Sequence, residues 1–336
     1  MNRPPASPTM AQLRALVAVA DNLSFREAAR ELGVSQPSVS AALVALEAAL
    51  GARLADRSSR KVALTPAGQQ AAARARRILA EVDDLVVGPS ANGQVDGPLR
   101  LGVIPTVAPY ILAPVLRALA RRAPALRPEV TESQTAHLLE GLSAGWLDAA
   151  VLALPAVPAP GTPEAAGAGH SAPVGAARLV EVPLYREDFV LVLPPGHPLA
   201  GRQGLPASVL RQLRLLLLEE GHCLSGQVLD ICRQVGAATD HPARAASLTT
   251  VAQLVAAGLG ATLLPATALP VETRKGKLAT AYFEPPAPGR VVGLVFDAGA
   301  PGLERNYEVA ALLRRALDRP GFAGQVQGTG GPQSAA

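Results

Sequence analysis

From residue 98 onward, strand-like and helix-like segments alternate, and this alternation constrains the fold more than any other feature. PLRLGVIPT is strand-like, APYILAPVLRALARRAP is helical, and RPEVTES, TAHLLEGLSAGWLD and AAVLAL continue the series. The pattern resumes with DFVLVLPPG, RLLLLEEG, LTTVAQLVAAGLG and ATLLPAT. Such alternation is typical of βαβ units. We therefore predict an α/β unit with a largely parallel sheet over residues 96–320.

Segments of biased composition interrupt or flank this unit. Residues 155–177 form a Pro-, Ala- and Gly-rich stretch that cannot build a core, and we expect a mobile surface insertion there. We also expect a disordered leader at 1–9 and a disordered tail at 321–336. The N-terminal segment contains no apolar run long enough for a signal peptide or a membrane span, which predicts a cytoplasmic protein.

The first sixty-odd residues predict short helices instead. Ser24 and Glu27 stand in the Ser-x-x-Glu arrangement of a capping box, so a helix should begin between them. Gly33 should end that helix, and Ser35 can cap the next one, because Pro37 is tolerated in a first turn. A helix, a short turn with Gly and a second helix form a helix-turn-helix motif, which we place within residues 10–66.

A helix-turn-helix domain binds DNA by laying its second helix in the major groove. The side chains that we expect to face bases and phosphates are those of Ser35, Gln36, Ser38 and Ser40. A basic cluster follows, and a wing beside the groove would use it for phosphate contact: Arg53, Arg57, Arg60 and Lys61. A three-helix bundle with a solvated basic loop is the alternative. The net charge of +4 permits a DNA partner without requiring one.

A long Ala- and Arg-rich helix is predicted over residues 67–90, before a Gly- and Pro-containing linker. A lone helix of this length is marginal unless its apolar stripe is buried. Pairing with a second copy would bury the stripe, and a dimer suits a DNA site with two halves.

The only two cysteines, Cys223 and Cys232, lie nine positions apart in LLEEGHCLSGQVLDICRQV. A structural disulfide, a metal site, two buried thiols and a redox switch are the alternatives. If residues 225–235 form a helix capped by Ser225, nine residues advance about 13 Å and about two and a half turns. A disulfide needs Cα atoms within about 7 Å, so the segment must unwind before the thiols can bond.

This spacing favours a switch over a passive cross-link, and structural disulfides are rare in the cytoplasm. Cys223 is the expected reactive thiol, because a helix start favours a thiolate and His222 adjoins it. Cys232 lies in the apolar run VLDIC and is the expected buried resolving thiol. A metal site of these three residues with His241 lacks the close ligand spacing of structural zinc sites, and we expect no metal and no cofactor.

The stretch SFREAARELGVSQPSVSAALVALEAALGARLADRSSRKVALTPAG resembles the DNA-binding domain of LysR-type transcriptional regulators. The resemblance implies an α+β multidomain chain: an N-terminal winged helix-turn-helix, a dimerising linker helix, and a regulatory domain of two α/β lobes similar to periplasmic binding proteins. It further implies homodimers or homotetramers that bind double-stranded promoter DNA and act with RNA polymerase, without enzymatic turnover.

Three further stretches resemble the hydrogen-peroxide-responsive members of that family: LGVIPTVAPYILAPVL, LLLLEEGHCLSGQVLDIC and AASLTTVAQLVAAGLGATLLPATALP. The resemblance implies that hydrogen peroxide oxidises Cys223, which then forms a disulfide with Cys232. It also implies a peroxide pocket in which hydroxyl groups hold the peroxide and an arginine stabilises the thiolate. The pocket residues are His222, Thr106, Thr135 and Arg290.

The chain departs from those members after the His-Cys-Leu sequence, where they often carry an Arg-Asp pair. Ser225 and Gly226 stand here, so we expect the second step of oxidation to differ and the first to be retained. One alternative function is a LysR-type regulator that binds a small metabolite between its lobes, with incidental cysteines. Another is a thiol peroxidase, which the helix-turn-helix disfavours.

Overall fold

The computed structural model describes residues 7–56, 62–87, 95–155, 179–238, 244–274, 278–300 and 302–318. The helices are α1 (Met10–Asn22), α2 (Phe25–Leu32), α3 (Gln36–Leu50), α4 (Pro66–Val87), α5 (Ala108–Arg122), α6 (Thr135–Ala144), α7 (Cys223–Val235), α8 (Leu248–Ala256), α9 (Leu269–Glu272) and α10 (Leu303–Leu317). The strands are β1 (Ala55–Asp56), β2 (Ala63–Leu64), β3 (Gly97–Val103), β4 (Leu126–Glu132), β5 (Ala149–Leu154), β6 (Leu179–Leu193), β7 (Leu217–Leu218), β8 (Arg244–Ala245), β9 (Thr262–Pro265), β10 (Ala279–Ala281) and β11 (Gly289–Asp297). The described residues also contain two 3₁₀ helices, Ala207–Gln212 and Ala266–Ala268.

The predicted helix-turn-helix is confirmed in its local details. The Ser24 side chain accepts a hydrogen bond from the Glu27 amide at the start of α2. Gly33 ends that helix at φ +65°, where an L side chain would be strained. The Ser35 side chain caps α3 by accepting from the Ser38 amide. The axes of α2 and α3 meet at 104°, within the range typical of this motif.

The N-terminal helices pack on one apolar core with the start of α4, and β1 pairs antiparallel with β2 as a short wing. Thr9, the last residue of the predicted leader, caps α1 in a reciprocal capping box with Gln12. Residues 1–6, 57–61, 88–94, 156–178 and 319–336 lie outside the described residues. The expected leader start, the linker-helix end at 90, nearly all of the insertion and the tail therefore remain predictions.

The prediction of a largely parallel sheet is wrong. In the described part of the seven-stranded sheet only β3 pairs in parallel, with β4 and with β5. Strand β11 pairs antiparallel with β5 and β6, and β6 pairs antiparallel with β9 and β10. The physical reason is that β6 and β11 run between the two halves of the unit in opposite directions. The predicted strand RLLLLEEG is also shorter than expected, because only the two residues of β7 form a strand there, next to an isolated parallel bridge between Leu215 and Ala261.

The C-terminal unit has two separate apolar cores, and we call the parts around them lobe 1 and lobe 2. The lobe 1 core comes from residues 95–154, the first half of β6, most of β11 and α10. The lobe 2 core comes from residues 189–283. Strand β6 passes from one core to the other, with Tyr185 buried in lobe 1 and Phe189 buried in lobe 2. Residues 186–188 therefore lie at the junction of the lobes.

Candidate functional site

Helix α7 carries both cysteines, and it begins two residues earlier than expected. Cys223 is its first residue and His222 its N-cap, so the expectation that Ser225 caps this helix is wrong. Ser225 lies within the first turn, 5% exposed, and its hydroxyl donates to the Leu218 carbonyl over 2.9 Å. Because the Ser225 hydroxyl is buried and hydrogen-bonded to the last residue of β7, it does not cap the helix. That bond ties the start of α7 to lobe 2.

The two thiols face different cores. Cys223 is half-buried and packs against the lobe 1 core, although α7 belongs to lobe 2. Cys232 is fully buried in the lobe 2 core, as predicted. Nine helical residues separate them by about 13 Å along the axis on opposite faces. The regular helix therefore keeps the thiols apart, and both are free.

A buried polar network lies at the lobe junction beside Cys223. The Arg290 guanidinium donates through Nε to Glu187 Oε1 over 2.8 Å. It also donates through Nη1 to the Thr106 hydroxyl over 2.9 Å and through Nη2 to the Thr106 carbonyl over 3.0 Å. The Arg290 and Glu187 side chains are 0% and 1% exposed. The resemblance to the peroxide-responsive regulators grouped Arg290 with Thr106, and the structure brings these two side chains into direct contact.

Cys223 belongs to the electrostatic surroundings of this arginine. Burial lowers the pKa of Arg290, but the negative charges of Glu187 and Cys223 outweigh it, so the pKa is raised. The guanidinium is thus a permanent cation next to the thiol. For Cys232 the dominant effect is burial, which raises the pKa of that thiol, while Arg233 opposes it. The two thiols therefore lie in different electrostatic surroundings.

The other two predicted pocket residues lie on elements that surround Cys223. Thr135 is the first residue of α6, and the Gln134 side chain lies against the backbone of Gly221, two residues before Cys223. Within the described part of the chain, Thr135 Oγ1 and His222 Nδ1 are buried without a hydrogen-bond partner. Buried polar atoms normally have one, which leaves both groups able to bind a small polar molecule.

Sequence reasoning missed the acidic half of this network. Glu187 accepts from Arg290, and the Thr267 hydroxyl donates to the other Glu187 oxygen. A second polar contact joins the lobes, since the Tyr110 hydroxyl of α5 donates to Glu272 over 2.7 Å. Burial, followed by the hydrogen bond to Glu272 and then its charge, raises the pKa of Tyr110, so this phenol stays neutral. No local sequence signal could have paired these residues, which are up to 162 positions apart.

The predicted DNA-contacting residues lie at the start of α3 and beside the wing. Ser35, Gln36 and Ser38 are exposed and Ser40 is half-buried. The Ser35 hydroxyl is 2.8 Å from that of Ser38, so part of its capacity is used in capping. Arg53 is exposed just before β1. Three predicted wing residues lie outside the described residues: Arg57, Arg60 and Lys61.

Two family models cover most of the chain. Residues 10–69 match the bacterial regulatory helix-turn-helix protein of the lysR family, and residues 92–318 match the LysR substrate binding domain. The chain belongs to the LysR family of transcriptional regulators. The family accounts for the order of a helix-turn-helix, a long helix and a two-lobed domain in this chain.

The relatives of this LysR-family chain include regulators named for hydrogen peroxide. A probable hydrogen peroxide-inducible genes activator of Streptomyces viridosporus is 50% identical over 313 residues, 92% of this chain and 95% of the relative. The dual regulator OxyR of Escherichia coli K12 is 38% identical, over 91% of this chain and 95% of that protein. The match spans nearly the whole length of each relative.

Solved OxyR structures share the fold. A full-length OxyR variant of Pseudomonas aeruginosa aligns with a TM-score of 0.73 at 30% identity, covering 92% of this chain and 98% of that one. A mutant of Corynebacterium glutamicum OxyR with bound hydrogen peroxide aligns with a TM-score of 0.61 at 43% identity, covering 93% and 94%.

Neither a metal site nor a membrane-spanning helix emerges from the described residues. No three His, Cys, Asp or Glu side chains lie close enough there to hold a metal ion. The proposed ligand His241 lies outside the described residues, and Cys223 and Cys232 face opposite sides of α7. No single described helix is both long and apolar enough to cross a membrane.

Acidification is expected to destabilise the regulatory domain through His222. Burial lowers the pKa of His222, and Glu219 opposes the shift. The unfolded chain therefore binds a proton at His222 more readily than the folded chain does. The stability contributed by neutral His222 is present above about pH 6.5, and it is lost as the pH falls through the lower pKa of the folded state. Urea unfolding at pH 7.5 and 5.5 should show a smaller loss for His222→Gln than for the wild type. His137→Gln, which replaces an exposed histidine of α6 away from Cys223, is the control variant.

Proposed function

We propose that this LysR-family regulator senses hydrogen peroxide through Cys223 and controls oxidative-stress genes by binding promoter DNA. The observation that carries the proposal is the position of Cys223 at the first residue of α7, on the lobe junction beside Arg290. A helix N-terminus and a guanidinium both favour a thiolate, the reactive form. The peroxide-bound relative and the names of the other relatives support the same reading.

The first step oxidises Cys223. Its thiolate attacks one peroxide oxygen, an S–O bond forms, the O–O bond breaks, and the leaving hydroxide takes a proton to become water. Sulfur loses two electrons to the peroxide, and Cys223 becomes a sulfenic acid. Thr106, Thr135 and His222 are the proposed partners for the peroxide oxygens, and Arg290 stabilises the charge on sulfur and on the leaving oxygen.

The second step would join the two cysteines. The Cys232 thiolate attacks the sulfenic sulfur, an S–S bond forms and the S–O bond breaks, and the leaving hydroxide takes up a proton to become a second water. The thiols start on opposite faces of a regular helix, about 13 Å apart along its axis, so α7 must unwind and Cys232 must leave the lobe 2 core. This repacking is the proposed switch that changes how two or four copies place their DNA-binding domains.

Substitutions in the first turn of α7 should alter the second step and leave the first unchanged. Gly226→Ala should stabilise the helix by about 1 kcal/mol and slow disulfide formation. Ser225→Ala removes the bond to the Leu218 carbonyl and should accelerate it. Alkylation of free thiols at timed intervals, followed by mass spectrometry, distinguishes sulfenic acid from disulfide. The melting temperatures of the reduced proteins show whether the methyl group added in Gly226→Ala stabilises the fold. Equal disulfide rates in both variants would contradict an unwinding step.

On the DNA side, the start of α3 is the proposed reader of bases, through Gln36, Ser38 and Ser40, with Ser35 as cap and phosphate contact. Arg53, together with Arg57, Arg60 and Lys61, is the proposed phosphate contact of the wing. Promoter DNA, RNA polymerase and a second copy paired through α4 are the proposed partners, in a cytoplasmic, non-enzymatic homodimer or homotetramer.

Replacing Arg53 with alanine should weaken binding to all DNA sequences alike. Each phosphate contact contributes about one unit to the slope of log affinity against log salt concentration. We expect the slope of Arg53→Ala to fall by about that amount in a fluorescence titration with promoter DNA. The control, Arg202→Ala, changes an exposed arginine of the regulatory domain and should leave the slope unchanged.

The proposed function is tested by adding one equivalent of hydrogen peroxide to the reduced protein and counting free thiols over time by mass spectrometry. Loss of both thiols, a mass lower by two hydrogens and a linked Cys223–Cys232 peptide are expected. Survival of both thiols in excess peroxide would contradict it. A small metabolite bound between the lobes would then become the leading hypothesis.

A further inference from the structure

Glu187 and Arg290 form a cross-strand pair at the point where the chain passes between the lobes. The two residues are direct partners in the antiparallel register of β6 and β11. Their side chains are almost completely buried, and Arg290 Nε lies 2.8 Å from Glu187 Oε1. Side chains with so little access to water cannot exchange this contact for hydration, so each holds the other in place.

Each member of the pair is also fixed at its far end. Glu187 Oε2 accepts from the Thr267 hydroxyl and, over 3.4 Å, from the Thr267 amide in the segment that follows β9 of lobe 2. Arg290 donates twice to Thr106 at the end of β3 in lobe 1. A row of hydrogen-bonded side chains therefore crosses the lobe junction, in the order Thr267, Glu187, Arg290 and Thr106. Contacts in both lobes fix the positions of Glu187 and Arg290.

The guanidinium retains donors for a further partner. Arginine has five N–H groups, and three of them bond to Glu187 and Thr106 in the described contacts, which leaves two. The ionisable groups that face Arg290 are Glu187, Cys223, Tyr185 and Tyr110. Burial raises the pKa of both tyrosines, which stay neutral.

We infer that Glu187 is a positioning residue for the peroxide reaction: it holds the Arg290 guanidinium with its remaining N–H groups directed at Cys223. The inference rests on the proposed function and adds a residue and a role to it. Glu187 acts in two ways through Arg290. It fixes the orientation of the guanidinium, and its negative charge partly offsets the positive field that favours the Cys223 thiolate.

The test measures the rate constant of Cys223 oxidation from pH 5 to 9 in the full-length Glu187→Gln protein. The amide keeps an acceptor for Arg290 but removes the charge. The rate at high pH should fall by roughly 10- to 100-fold, because a small displacement of a positioned group has such an effect. The pH of half-maximal rate should move lower, because the field of Arg290 is less compensated. Glu181→Gln, at an exposed position of the same strand, should match the wild type.

A double-mutant cycle separates positioning from general damage. If Glu187 acts through Arg290, Glu187→Gln combined with Arg290→Met should react at the rate of Arg290→Met alone. The double variant has lost both charges of the buried pair, so no charge is left buried without a partner. It should therefore remain folded and testable even if one of the single variants unfolds. Thr267→Val removes only the hydroxyl donor to Glu187. It should also lower the rate, by a smaller factor than Glu187→Gln does.

Three outcomes would overturn the inference in a wild type that does react at Cys223. These are a folded Glu187→Gln protein with unchanged rate and pH profile, a shift of the profile to higher pH, or rate losses that multiply in the double variant. A wild type whose Cys223 does not react would instead contradict the proposed function, so the two failures are distinguishable.

Discussion

Cys223→Ser should abolish the response to hydrogen peroxide. A serine hydroxyl is not ionised at neutral pH and cannot attack the peroxide oxygen, and Cys232 cannot substitute. That thiol is fully buried, and burial raises its pKa. We expect the rate of thiol loss at one equivalent of peroxide to fall at least about a thousandfold, below the limit of detection. Binding to promoter DNA should become the same with and without peroxide.

Cys232→Ala is the matched control for this prediction, because it removes the other thiol and leaves the lobe junction unchanged. We expect Cys223 to react at the wild-type rate in this variant and to stop at a sulfenic acid, which dimedone traps. A Cys223→Ser protein that still alters its promoter footprint with peroxide would show that another group is the sensor.

Arg290→Met should destabilise the regulatory domain by about 3–5 kcal/mol. The substitution leaves Glu187 buried without its cation, and breaking a buried pair from one side has a cost of that size. It also removes both donors to Thr106, which connect the lobes. Urea unfolding of the reduced protein, followed by tryptophan fluorescence, measures the change in free energy.

Arg186→Met tests whether burial causes that effect. Arg186 neighbours Glu187 in sequence and pairs with Asp188 over 2.6 Å, but the two side chains are 41% and 48% exposed. An exposed pair contributes about 0–1 kcal/mol, because water and ions screen it. Losses of equal size in Arg186→Met and Arg290→Met would contradict the assignment of Arg290–Glu187 as the buried electrostatic link.

Features set by neighbouring residues could be predicted from the sequence. Ser24, Gly33 and Ser35 act within one helical turn of their own positions, so the helix-turn-helix followed from local chemistry. The nine-residue spacing of the cysteines likewise placed the thiols on opposite faces of any regular helix. The error at Ser225 arose because a buried bond to the Leu218 carbonyl, seven residues away, competes with capping.

Features set by pairing across the sheet could not be predicted. The segment REDFV places Arg186, Glu187 and Asp188 side by side, and nothing local shows that only the middle charge is buried. Strand β11, about a hundred residues later, decides it by putting Arg290 opposite Glu187. The same pairing made the sheet mixed where the alternation of segments had predicted it largely parallel.

The sequence by itself determined the helix-turn-helix, the two-part organisation and the switch-like spacing of the cysteines, because backbone propensities, caps and helical periodicity act over a few residues. Only the tertiary structure decided that Cys223 faces lobe 1, that Cys232 lies in the lobe 2 core and that Glu187 holds Arg290. Those contacts join residues that are about a hundred or more positions apart or lie on different lobes. The charged groups among them interact strongly because they are buried at the junction, where water does not screen them.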